Sequence, residues 1–177
     1  MSGFRPERSL TLGFHPTARG FGWIVFEGPF APYAWGLFTV HRDKNAKCLR
    51  KIERLFDRYA PEAFVIEAFD KRSAVRSGRI QRLCLSAVAL AADRGAELAV
   101  LSRGEIKTCF AQVGAQTRDE IAQAVTRQVP ALAYRLPKRR KAGDSEDKRL
   151  ALFCAAALVQ TFYHYGASSV FEDLRGR

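Results

Sequence analysis

The sequence predicts an α/β fold, a five-stranded mixed sheet flanked by helices, and three observations carry that prediction. Three β-rich runs punctuated by Pro and Gly open the chain. Two further apolar runs of strand length follow, set apart by stretches of helical periodicity. Three more helical stretches close the chain, and no segment repeats another.

Residues 9–15, 19–27 and 33–40 are the opening strands, and Pro16, Gly20, Gly28, Pro29 and Pro32 break them into an antiparallel meander with short turns. Cys48, Ile52, Leu55, Phe56 and Tyr59 then recur at helical spacing over 44–60, with Pro61 just beyond, so a first helix packs on the sheet. Residues 63–69, Ala63-Phe64-Val65-Ile66-Glu67-Ala68-Phe69, are apolar around one carboxylate and fit a central strand buried on both faces. A long apolar helix over 79–94 carries Leu83, Leu85, Val88 and Leu90, and residues 98–101 form a fifth strand. Helices follow at 103–112 and 117–128, the second with Thr117 as N-cap and Glu120 completing a capping box. The last helix, over 145–164, carries Leu150, Phe153, Cys154, Ala157, Leu158 and Phe162.

A chain of 177 residues is the size of one domain, 1–177, able to bury roughly 70% of its unfolded surface. At 47% hydrophobic and 27% charged it is globular, with an ordered core over about 9–165 and less order at both ends and around 137–146. Its 29 Lys plus Arg against 18 Asp plus Glu give a formal charge of +11 and favour polyanionic partners. Cys48, Cys84, Cys109 and Cys154 lie far apart without metal-binding spacing and read as buried reduced thiols. The chain contains no run of about 20 apolar residues, and its first residues lead into a strand with no signal-type apolar region, so no membrane is expected and the location is cytoplasmic.

Four separated positions, His15, Glu67, Asp144 and Asp147, each stand at the edge of a predicted strand or helix. Oxygen-rich clusters gathered this way hold divalent metals against a phosphate backbone. Glu67 is the strongest, since a carboxylate in a buried strand is costly unless it coordinates a metal or pairs with Arg72 or Arg79. Asp144 and Asp147, three apart at a helix start, share a face near the positive end of the dipole, where acidic residues also serve as caps. Glu146 replaces either neighbour if the helix begins later. Two basic runs bracket these acids and read as phosphate-binding: Lys71, Arg72, Arg76 and Arg79 after Glu67, and Lys138, Arg139, Arg140 and Lys141 before Asp144. Phe69 suits stacking on an unpaired base or plain core packing.

Leu12-Gly13-Phe14-His15-Pro16-Thr17, followed by Gly20-Phe21-Gly22, resembles the opening of RuvC-like Holliday junction resolvases, with their Gly-hydrophobic-Asp-Pro-Gly strand end. Val65-Ile66-Glu67 resembles that family's fourth strand, and Leu101-Ser102-Arg103-Gly104-Glu105-Ile106-Lys107 its next strand-to-helix segment. Asp144-Ser145-Glu146-Asp147 is similar to the Asp-x-x-Asp of its final helix. The resemblance implies a RuvC-type, ribonuclease H-like fold. It also implies cleavage of branched DNA such as a four-way junction by two Mg²⁺ or Mn²⁺ ions roughly 3.5–4 Å apart. Glu67 with Asp144 or Asp147 would be metal ligands, Lys107 would orient the scissile phosphate, and Arg118 stands where the family usually has Lys. A homodimer meeting through the 79–94 helix is implied as well.

The sequence departs from that pattern at His15, where the family places its first Asp, and at Thr17, where a Gly follows the Pro. A neutral imidazole suits Mn²⁺ or Zn²⁺ better than Mg²⁺. The leading expectation is a metal-dependent, structure-selective endodeoxyribonuclease with His15, Glu67, Asp144 and Asp147 at its site. Two alternatives stand beside it: a catalytically degenerate module that binds branched nucleic acid without cutting, and a YqgF-like RNA-processing nuclease.

Overall fold

The computed structural model describes residues 9–69, 77–139, 141–143 and 145–175, with 167–175 described by backbone alone. The three opening strands, β1 (Thr11–Thr17), β2 (Gly20–Phe26) and β3 (Pro32–Thr39), form the antiparallel meander, in which Gly13 pairs with Ile24 and Ile24 with Trp35. Helix α1 (Lys44–Tyr59) carries the chain back to β4 (Ala63–Glu67), which lies parallel to β1. Helix α2 (Gly78–Asp93) leads likewise to β5 (Glu97–Leu101), parallel to β4. The sheet order is β3-β2-β1-β4-β5. After it come α3 (Arg103–Ala111), α4 (Arg118–Gln128), a 3₁₀ turn over Pro130–Arg135, and α5 (Leu150–Arg175).

Strand β4 is almost wholly apolar because both of its faces are covered. On one face Phe64 and Ile66 join Phe14, Phe21, Ile52 and Phe56 of α1 and Leu83 of α2. The Phe14 ring lies 5.0 Å from that of Phe21 and 5.9 Å from that of Phe64. Each such pair adds about 0.5–1.5 kcal/mol to the burial of its area. On the other face Ile24 and Val65 meet Phe110 of α3, Val125 of α4, and Phe153, Ala155 and Val159 of α5.

Two glycines bring α5 down onto the sheet. A Cβ on Gly13 would stand 2.5 Å from the Ala155 carbonyl oxygen, and one on Gly22 would run into the backbone of Ala151. Without those side chains, α5 lies directly across β1 and β2, and its opening turns reach the strand ends where His15 sits.

The start of α5 departs from the sequence expectation, at Leu150 rather than 145. The Asp147 carboxylate accepts the Arg149 backbone N–H at 2.8 Å, and its carbonyl accepts that of Leu150 at 3.0 Å. This tight turn supplies the cap, so residues 145–147 precede the helix and Asp147 stands outside it. The 3₁₀ turn was not expected from the sequence, nor was a second capping box, at Ser102 and Glu105 of α3. Leu85, expected on an apolar helix, is 58% exposed. Among the described residues, no helix is long and apolar enough to cross a membrane.

Candidate active site

Strands β1, β4 and β5 run parallel, so their C-terminal ends open on one edge of the sheet, where ligands collect in folds of this kind. Gly13 pairs with Val65 and Phe14 with Ile66. One residue further, the same register brings His15 beside Glu67 on the α5 face. His15 Nδ1 is 3.6 Å from Glu67 Oε2, and the two side chains are 8% and 12% exposed. Gly22 is the partner of His15 across the β1–β2 ladder, and it admits the first turn of α5 to the same spot.

Glu67 opens into a cleft lined by Arg103 and Lys107 of α3, Gln116 and Arg118 at the start of α4, and Cys154 of α5. Its volume is about 40 Å³, enough to admit water-sized groups. Arg103 and Arg118 are the first residues of their helices, so both N-termini face the cleft and add their positive dipole ends to the three cations. Capping boxes hold the two ends in place. Ser102 and Thr117 accept the Glu105 and Glu120 N–H groups at 3.1 and 3.2 Å, and the two glutamates accept the cap N–H groups at 2.6 and 2.9 Å.

Arg118 donates to both oxygens of Glu146, at 2.7 and 2.8 Å. Burial disfavours the Arg118 cation, but Cys154, Glu146 and Glu67 outweigh it, and Arg118 holds its proton more firmly than an ordinary arginine. Burial pushes the Cys154 thiol up to about 12, against the pull of Arg118 and with help from Glu146 and Glu67. The cleft therefore combines a carboxylate, three cations and a neutral thiol, a setting with the charge to accept an anion.

The other residues expected from the sequence lie as follows. Asp147 turns onto Arg149, which binds it through Nε and a terminal nitrogen at 2.7–3.1 Å, and it does not line the cleft. Arg79 turns inward to the Thr17 and Ala18 carbonyls and the Asn45 amide oxygen, tying α2 to the β1–β2 turn instead of presenting a cation to solvent. Phe69 packs half-buried against the core on the α1 side. Lys138, Arg139 and Lys141 are exposed. Asp144, Lys71, Arg72, Arg76 and Arg140 lie outside the described residues. Among the described residues, no three His, Cys, Asp or Glu side chains gather as a metal set. His15 and Glu67 are two donors within reach of one ion.

Sequence reasoning did not single out Arg103, Gln116 or Cys154 as cleft residues. Cys154 had a usable signal, since Phe153, Cys154 and Ala157 share a helical stripe with Leu150 and the cleft lies at the head of that stripe.

No protein-family model matches this sequence, and no curated protein matches it. Solved structures do. Thermus thermophilus RuvC matches with a TM-score of 0.66 at 16% identity, over 90% of this chain and 96% of RuvC. T. thermophilus RuvC in complex with Holliday junction substrate gives 0.65 at 14%, over 90% and 96%. The yeast mitochondrial Holliday junction resolvase Ydc2 gives 0.61 at 14%, over 90% and 80%. At these identities the likeness establishes the fold, which is RuvC-like and of the ribonuclease H type.

Proposed function

We propose that this protein is a metal-dependent endonuclease that cleaves phosphodiester bonds in branched DNA, four-way junctions in particular. The observation that carries the reading is the approach of His15 to Glu67, which lines a cleft together with Arg103, Lys107 and Arg118. The fold it shares with junction resolvases and a formal charge of +11 support the same substrate class.

The donor set fits a divalent ion. One imidazole nitrogen and one carboxylate suit Mn²⁺ more than Mg²⁺, and Asp144 is the proposed third ligand. A second ion would require another carboxylate, and Glu146, held by Arg118 at the cleft wall, is the proposed one. Asp147 is assigned to capping α5. A bound ion would supply positive charge at the scissile phosphate. Lys107 and Arg118 orient the phosphate oxygens and stabilise the charge that develops on them. The working unit is a cytoplasmic homodimer, for which the exposed Leu85 of α2 offers a contact.

A second reading, a module that binds junctions without cutting, is favoured by one observation: His15 stands where the resemblance calls for a carboxylate. Incubating a labelled four-way junction, a linear duplex and an RNA hairpin with the protein, in Mg²⁺ and separately in Mn²⁺, separates the readings. The nuclease reading expects cutting of the junction above the other two, faster in Mn²⁺. Tight junction binding with no products in either metal would make it a binding module, and preferential cutting of the hairpin would make it an RNA-processing enzyme.

A further inference from the structure

On the far side of the sheet from β5, an aromatic pair sits at the β3 edge and takes no part in the cleft. The Trp35 indole N–H donates to the Tyr134 hydroxyl at 3.1 Å, linking β3 to the 3₁₀ turn after α4. Tyr134 is 67% exposed, and the Arg135 guanidinium lies against its ring, 5.3 Å from the centroid. Trp35 is half-buried over the core beneath it. Packing alone does not call for a tyrosine here whose ring is mostly in solvent. A fixed, exposed aromatic ring with a cation beside it is the arrangement that stacks on a nucleobase while meeting its phosphate.

The position of this pair relative to the cleft gives it meaning. Trp35 pairs with Ile24, and Ile24 with Gly13, so all three share the face of His15. Two strand spacings and two residues along the strand put Trp35 on the order of 12 Å from His15, and Glu67 lies one strand further. The segment that leaves Tyr134 carries the exposed Lys138 and Arg139, and Arg139 lies near enough to Glu120, in the first turn of α4, to help lower its carboxyl. Arg135, Lys138 and Arg139 therefore follow the aromatic pair along the chain, with Arg139 electrostatically close to the first turn of α4.

We propose that Trp35, Tyr134 and Arg135 form a stacking platform for an unpaired DNA strand, which then follows Lys138 and Arg139 into the candidate active site. The proposal rests on the nuclease reading for its choice of DNA, but its test is independent of cleavage. The occupant is single-stranded DNA because the cations match a phosphate chain and the ring matches any base.

The protein has two tryptophans, and Trp23 is 8% exposed in the core on the α1 side, so quenching of emission by a short oligo(dT) in metal-free buffer reports on Trp35. The expected result is saturable quenching that Trp35→Phe abolishes, an affinity about tenfold weaker in Tyr134→Ala, and near-normal affinity in Tyr134→Phe. Equal affinity in Tyr134→Ala would overturn the proposal, as would absence of quenching or a preference for oligo(rU). So would a Tyr134→Phe loss as large as that of Tyr134→Ala, which would reduce the tyrosine to holding Trp35. Intact oligo(dT) binding by a protein that never cuts a junction would count against the nuclease reading and leave the platform standing.

Discussion

Arg118 donates from one guanidinium nitrogen to both carboxylate oxygens of Glu146, at 2.7 and 2.8 Å, at the wall of the cleft that Glu67 enters. The pair is partly open to solvent, with side chains 31% and 39% exposed, so it contributes little to stability, at most about 1 kcal/mol. Its consequence lies in the charge it fixes at the cleft. Arg118→Ala should lower the single-turnover cleavage rate by roughly 10²-fold while leaving the melting temperature nearly unchanged, and Arg118→Lys should recover part of the loss. Equal rates for Arg118→Ala and the wild type would remove Arg118 from the site.

Asp147 predicts a stability effect with a definite pH dependence. The Arg149 side chain foremost, and then its backbone N–H and the charge of Lys148, hold the Asp147 carboxyl below its ordinary value of 3.8, against some opposition from burial. A carboxylate lowered on folding stabilises the protein fully above its unfolded value, and the contribution disappears as pH falls through the folded value. Asp147→Ala should therefore cost about 1 kcal/mol at neutral pH and progressively less below pH ~4, read by urea unfolding across pH. Junction cleavage should survive the substitution. A large loss of cleavage with unchanged stability would return Asp147 to the metal site.

Gly22 predicts a packing effect. Because an added Cβ would meet the Ala151 backbone, Gly22→Ala should push the first turn of α5 off the sheet and destabilise by about 1–3 kcal/mol or more. Thermal unfolding checks this, and Gly28→Ala is no substitute control, since its backbone is left-handed at φ 90°.

Cys154 predicts a quiet thiol in a charged cleft. Pushed up to about 12 from an ordinary 9.0, it has a thiolate fraction near neutral pH lowered by about a thousandfold. Iodoacetamide labelling followed by mass spectrometry should find Cys154 protected in the native protein and labelled at an ordinary rate after unfolding. Rapid native labelling would contradict the half-buried, neutral thiol.

Most of the sheet was legible because Gly28, Pro29 and Pro32 separate β2 from β3, although Pro16 lies inside β1 and does not end it, and because β4 is an apolar run that a doubly covered strand explains. Glu67 was legible for the same reason, as the single carboxylate in that run. The start of α5 was not. Asp144, Ser145, Glu146 and Asp147 all favour a cap, and only the bonds from Arg149 and Leu150 to Asp147 decide among them. The turn from Glu146 to Arg118 was equally hidden, since it spans 28 residues and depends on where α5 begins. Arg79 carried a cation's signal, but three acceptors in the β1–β2 turn and α1 claim it, and long-range partners of that kind leave no local trace in sequence.

The central claim is that His15 and Glu67 act together on a scissile phosphate. Its most direct test is single-turnover cleavage of a labelled four-way junction in Mn²⁺ by the wild type, Glu67→Gln and His15→Ala, with junction affinity measured alongside. Both variants should bind the junction as the wild type does and cut it on the order of 10³-fold more slowly. Cleavage at the wild-type rate by Glu67→Gln would contradict it.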